Sequence, residues 1–259
     1  MKQTYYSPNG TKLYGRSDMY VLSPTITWKC NAACDNCSSL CGSEQAPSNE
    51  DMAIENIQKL IDESIELKYP WTKWAISGGE PACHPKCEEI ILMMEEYKKK
   101  HNPKILLTIV TNGYSKKSKD MNVFALSHNF EIENSNKPEA IIKKTAKWPY
   151  IPINISPKDV KYNVTMISCE QGERCGLSLT NQGYWECTPA AAMWRVFHDY
   201  KPICVDLKDL TEELVYKNME HDCLNCGYAL YQAPRVYDQT TSKTWRIAFE
   251  NYKNKKLNV

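Results

Sequence analysis

The chain has 259 residues, of which 42% are apolar, 24% charged and 10% aromatic, with a formal net charge of +1. That is a soluble, globular composition, long enough for one domain or for one large domain with a small appendage. Residues 1–150 carry 19 Lys and Arg against 18 Asp and Glu, and residues 151–259 carry 13 against 13, so neither half offers a phosphate-tracking basic surface and no nucleic-acid partner is expected.

Cysteine is the outlier, with 12 residues. That is too sparse for a disulfide scaffold and heavy for an enzyme with no use for thiols. Residues 1–10 (MKQTYYSPNG) lack the apolar core of a secretory signal, and the longest apolar run, near residues 105–110, falls short of the ~18 residues of a membrane span. The expectation is a cytoplasmic protein, without a membrane partner, whose reduced thiols bind metal or react.

In chain order, residues 20–27 (YVLSPTIT) read as a strand that runs into a cysteine cluster. Ser48 and Asp51 form a capping-box pattern for a helix to about Lys68, with Ile54, Ile57, Ile61 and Ile65 as its apolar stripe. Residues 73–77 (KWAIS) are a short buried strand ending in Gly78, Gly79, Glu80 and Pro81. Residues 86–100 are helical, with Ile90, Ile91, Met94 and Tyr97 inward and Glu95/Lys99 and Glu96/Lys100 as i,i+4 pairs. Residues 105–111 (ILLTIVT) are a continuous apolar strand closed by Asn112 and Gly113. A helix at about 117–126, a strand at 128–134, a helix at 138–147 and a strand at 151–155 complete the alternation.

Apolar strands alternating with helices predict a parallel sheet covered by helices, here a partial (β/α)6-type barrel. In such a sheet the chemistry sits at the carboxyl ends of the strands. The pattern changes near residue 165: residues 177–180 and 184–187, joined across Asn181, Gln182 and Gly183, read as a β-hairpin. The predicted division is residues 1–164 and a smaller cysteine-rich domain at 165–259.

Cys30, Cys34 and Cys37 form C-x3-C-x2-C, three thiolates within eight residues. A structural zinc or a plain electron-transfer cubane wants four ligands. Three leave one metal position open to a substrate or cofactor, although Cys41 is within reach as a fourth. With the Gly78-Gly79-Glu80-Pro81 loop after the second strand, this pattern resembles the radical S-adenosylmethionine (SAM) superfamily over roughly residues 20–155. The resemblance implies that the three cysteines hold a 4Fe–4S cluster whose unique iron is chelated by SAM. It also implies reductive cleavage of SAM to a 5′-deoxyadenosyl radical, hydrogen abstraction from a substrate, and an electron donor such as flavodoxin or ferredoxin. Gly78 and Gly79 would then let backbone approach the methionine moiety, Glu80 would meet its ammonium group, and Pro81 would stiffen the exit. Thr111 and Asn112 are candidates for the ribose or carboxylate. The family usually has an aromatic residue before the third cysteine; this chain has Asn36, whose backbone can still meet the adenine edge.

A second set follows: Cys169, Cys175 and Cys187, then Cys223-x2-Cys226. With zinc it would staple a small appendage. With iron and sulfide it resembles the SPASM or twitch extension of many radical SAM enzymes, in the one-cluster twitch style. Cys187, Cys223 and Cys226 are the core of that set, with Cys169 or Cys175 completing it, and Cys204 reads as a core thiol. Cys83 and Cys87 straddle a helix start, where a thiol pKa can fall, but read more simply as structural. His84, His101, His128, His198 and His221 share no motif, and no catalytic residue is assigned. The resulting expectation is an enzyme acting on a small molecule or short peptide (dehydrogenation, epimerisation or peptide modification). Its rivals are a zinc-structured binding module and a glycyl-radical-enzyme activase.

Overall fold

The structure, a computed structural model of the protein, describes residues 18–32, 34, 37–41, 50–135, 153–159, 169, 171–197, 199–230 and 241–256. The predicted helix at 138–147, and Asn36, lie outside the described residues.

Six strands form one mixed sheet in the order β4-β3-β2-β1-β5-β6. They are β1 Val21–Thr27, β2 Lys73–Gly78, β3 Leu106–Thr111, β4 Glu131–Asn134, β5 Leu177–Thr180 and β6 Gly183–Trp185. All neighbours are parallel except β5 and β6, which form the predicted hairpin. The hairpin does not stand apart: β5 lies parallel to β1, pairing Leu22 with Leu177 and Pro24 with Leu179. One sheet therefore runs through both sides of the 164/165 boundary, and β1 is central.

Apart from β4, where Glu131, Glu133 and Asn134 are exposed, the strands are largely buried on both faces, yet they alternate. Leu22, Ile26, Trp74, Ile76, Leu107, Ile109, Leu177 and Leu179 point into one core with helices α1 (Ile54–Glu66) and α2 (Cys87–Lys100). The opposite face carries Ser23, Thr25, Thr27, Ser77, Thr108, Ser178 and Thr180, all buried. These hydroxyls bond one another and the backbone: Thr25 Oγ1 to Ser178 Oγ at 3.1 Å, and Ser77 Oγ donating to the Pro24 carbonyl at 3.1 Å. The uniformly apolar strands expected of a doubly covered sheet are thus replaced by apolar and hydroxyl faces. The second face can bury small polar side chains because most of them find a hydrogen-bond partner, Ser23 Oγ on the Cys175 carbonyl and Thr27 Oγ1 on Asp51 among them, whereas Thr108 Oγ1 has none.

Helix α2 buries Ile90, Ile91, Met94 and Tyr97 and carries both ion pairs, Lys99 to Glu95 at 2.8 Å and Lys100 to Glu96 at 2.5 Å. Helix α1 differs from its expectation. It starts at Ile54, not at Ser48, and its inward stripe is Ile57, Leu60, Ile61 and Ser64, leaving Ile65 36% exposed. Asp51 takes no part in a capping box, because Thr27 Oγ1 (2.7 Å) and Lys29 Nζ (2.5 Å) hold its carboxylate. Asn181, at the hairpin tip, takes over at the helix start: its Oδ1 accepts from Ala53 N at 3.0 Å and Asn56 Nδ2 at 2.9 Å.

Helix α3 (Lys116–Ser127) begins one residue before its predicted start, capped by Ser115 Oγ, and β4 begins at Glu131 rather than 128. Of the strand expected at 151–155, residues 151 and 152 lie outside the described residues, and 153 and 154 form a turn. After the five-residue helix α4 (Gln171–Cys175), α5 (Thr188–Met193) and α7 (Lys243–Lys256) build a second core with the first cysteine loop, while α6 (Glu212–Asp222) adds Val215 to the first core. Trp28, Leu40 and Cys41 share it with Trp185, Met193, Phe197, Cys226 and Trp245, and Cys30 and Cys37 pack against its edge. No helix among the described residues is long and apolar enough to cross a membrane.

Candidate metal and cofactor site

The first cysteine loop leaves β1 at a register shift between Thr25 and Thr27, and a short antiparallel bridge, Thr27 to Asp51, closes it on the far side. Trp28 N donates to Glu50 O at 3.0 Å and Met52 N to Ile26 O at 2.7 Å, so the chain returns to the strand end it left. Cys30, Cys34 and Cys37 are half-buried.

The Gly78–Pro81 loop presses against this exit. Gly79 N donates to Thr27 O and Glu80 N to Lys29 O, both at 2.8 Å. A Cβ on Gly78, whose φ is +139°, would meet Thr27 O at 2.3 Å, and one on Gly79 would meet Lys29 O at 2.1 Å. What demands the two glycines in this structure is the close approach to the cysteine loop itself.

Glu80 is 1% exposed and bridges to the next strand end. Its Oε1 accepts from Thr111 Oγ1 and its Oε2 from the Asn112 backbone N–H, each at 2.8 Å. Asn112 Nδ2 in turn donates to Asn31 Oδ1 at 2.8 Å and lies 3.9 Å from Cys30 Sγ. The three predicted motifs, at the ends of β1, β2 and β3, are therefore one hydrogen-bonded unit. Two residues that sequence reasoning passed over belong to it. Asn31 completes the ring; its position one residue after Cys30 was the available signal. His84, 3% exposed, ties α2 to the loop: Lys86 N donates to Nδ1, so Nε2 carries the proton that it gives to Met52 O at 3.0 Å.

Cys41 is buried with its Sγ 3.4 Å from Ser39 O, and burial beside Cys37 pushes its thiol well above the ordinary range. Cys83 and Cys87 are not activated: burial raises both, Cys87 to about 12, and this outweighs the helix N-terminus.

In the second set, Cys169, Cys187, Cys223 and Cys226 act on one another electrostatically, and burial together with neighbouring charges drives Cys187 and Cys223 well up. Cys175 stands elsewhere, beside Lys73 and Glu133 near the amino end of the sheet, with its Sγ 3.8 Å from Gln171 Oε1. Cys204 packs partly buried against the main core, and Tyr184 N donates to its carbonyl at 2.9 Å. A buried carboxyl pair, Glu186 and Asp222, sits behind the set; burial holds a proton on the pair, and His221 Nδ1 lies 2.7 Å from Asp222 Oδ1. Each carboxyl immediately precedes a cysteine of the set, a repeat visible in the sequence but not used above.

Among the described residues no three His, Cys, Asp or Glu side chains close on a single metal ion. A cubane instead spreads its thiolates over separate iron corners. The donors fit such a group: both sets are thiols, and the buried guanidinium of Arg195 stands beside the first.

Residues 25–150 match the family model for the radical SAM superfamily. The chain contains a radical SAM domain. The family implies a SAM-binding 4Fe–4S cluster, and the radical SAM domain spans all three linked strand ends. No curated protein sequence matches the chain. Among solved structures, BtrN in complex with AdoMet and 2-DOIA shares the fold, with a TM-score of 0.50 at 12% identity, covering 88% of this chain and 98% of that one. BtrN in an open conformation gives 0.48 at 11% identity, covering 88% and 97%. Streptococcus suis SuiB bound to S-adenosylmethionine gives 0.31 at 19% identity, covering 45% and 24%.

Proposed function

We propose that the protein is a radical SAM enzyme that abstracts hydrogen from a small molecule or short peptide, aided by an auxiliary 4Fe–4S cluster in a twitch-like region at 165–259. The observation that carries this reading is the bond chain from Glu80 through Asn112 and Asn31 to the cysteine loop. In it, Cys30, Cys34 and Cys37 hold the first cluster, which supplies reductive cleavage of SAM to a 5′-deoxyadenosyl radical. Glu80 offers its carboxylate to the cofactor's amino group while Thr111 and Asn112 keep that carboxylate aimed. Gly78, Gly79 and Pro81 set the loop against the cysteines, and Asn36 presents backbone to the adenine.

Cys169, Cys187, Cys223 and Cys226 are the ligands assigned to the second cluster; Cys175 is left out because its neighbours are Lys73 and Glu133. The BtrN complex, which holds 2-DOIA with AdoMet, favours a small-molecule substrate for this chain by analogy of fold. The enzyme works in the cytoplasm with a flavodoxin or ferredoxin as electron donor. Anaerobic reconstitution with iron and sulfide, then reduction with dithionite in the presence of SAM, tests the reading. Formation of 5′-deoxyadenosine is expected; a colourless protein that leaves SAM intact refutes it.

A further inference from the structure

Arg195, in the 165–259 region, reaches the neck of the first cysteine loop. It follows α5, the six-residue helix whose N-cap is Cys187, so a single short helix runs from the second cysteine set to the first. The guanidinium lies 4.0 Å above the ring centroid of Trp28, two residues before Cys30, and its Nη2 donates to the carbonyl of Ser39, two residues after Cys37. It therefore spans both ends of the loop.

Only 7% of Arg195 is exposed. A guanidinium taken out of water is costly unless anions compensate it. Stacking on Trp28 and the bond to the Ser39 carbonyl recover part of that cost. The charges that sustain the cation against burial come from Cys41 and Cys37 first, then from Tyr252 and Glu50. Cys37, one of the three cysteines assigned to the first cluster, is thus among the groups whose negative charge the cation meets, and Ser39, which Arg195 bonds, lies two residues from it.

Resting on the radical SAM reading above, we propose that Arg195 is a positioning residue for the first cluster: it clamps the neck of the loop and its fixed charge raises the cluster's reduction potential. Reduction adds one negative charge to a thiolate-bound centre, and a buried cation beside one of the ligands stabilises the reduced state more than the oxidised one. The region at 165–259 would thereby tune radical generation through α5 as well as by its own metal site.

The test is a reductive titration of the reconstituted full-length protein followed by electron paramagnetic resonance, assigning to the first cluster the signal that SAM perturbs. In R195M, at the potential that half-reduces this cluster in the wild type, the reduced-to-oxidised ratio should fall about tenfold, equivalent to ~59 mV for one electron. R195K, which keeps the charge and loses the stack, should stay within about threefold of wild type, with the iron count unchanged in both. An unmoved ratio in R195M, or an equal shift in R195K, overturns the assignment. Should R195M fail to fold or to take up iron, R195Q, which retains an amide donor for Ser39, carries the same comparison with the same outcomes. A wild type with no SAM-sensitive cluster overturns the functional reading itself, whereas a loaded protein with an unmoved potential overturns only the role of Arg195.

Discussion

The two cysteine sets differ in the groups around them. Cys30, Cys34 and Cys37 are half-buried on a strand-end loop, and the groups around them are polar: Asn31, Asn112, Glu80 and Thr111. Cys226, by contrast, is 8% exposed inside an apolar core with Trp185, Phe197 and Trp245, backed by a protonated carboxyl pair. The first site has three thiols and a hydrogen-bonded rim; the second has four thiols, of which Cys169, Cys187 and Cys223 are half-buried and Cys226 is buried. A centre that must admit a cofactor is served by the first arrangement, and one that only exchanges electrons by the second. One core joins them: Trp28 and Cys41 from the first loop share it with Cys226 from the second set.

Breaking each side separately sharpens that contrast. Cys30→Ala should abolish 5′-deoxyadenosine formation with little loss of stability, because its side chain is half-exposed. Cys226→Ala should retain SAM cleavage but lower the melting temperature by several degrees, measured calorimetrically, because it opens a buried site. The rim comes next. Glu80→Gln places an amide donor against the Asn112 N–H or the Thr111 hydroxyl, and should weaken SAM binding about ten- to a hundredfold, read by equilibrium titration with both clusters retained. Gly79→Ala forces a Cβ to within 2.1 Å of Lys29 O and should cost about 2–4 kcal/mol of unfolding free energy in denaturant titration.

The smallest effect belongs to Glu95, far from both sites. Lys99, His128 and Asn129 hold its carboxyl down at about 2. Its folded value lies below its unfolded one, so its contribution to stability is fully present above the ordinary carboxylate pKa and disappears as pH falls through about 2. Glu95→Gln should therefore destabilise by about 1–2 kcal/mol at neutral pH, and the gap from wild type should close over that acidic window. A gap independent of pH would contradict this.

Local chemistry was legible in the sequence and long-range contact was not. The motifs at Cys30, Gly78 and Thr111 each follow a strand of the same parallel sheet, so topology alone brought them to one edge. The inward face of α2 and its ion pairs followed from helical spacing. Asn181 could not be foreseen as the residue serving the start of α1, because 128 residues separate it from Ala53. The hairpin's place beside β1 was equally hidden: a sequence pattern gives a strand its faces, not its neighbour. Arg195 carried no motif at all, and its role depends on α5 pointing it at Trp28.

Iron and sulfide counts on the wild type, on a Cys30/Cys34/Cys37→Ala protein and on a Cys187/Cys223/Cys226→Ala protein test the division of the thiols most directly. Two 4Fe–4S clusters in the wild type and one in each variant are predicted, with SAM perturbing the resonance only where Cys30, Cys34 and Cys37 remain. A wild type holding a single cluster that survives loss of Cys30, Cys34 and Cys37 would contradict the account.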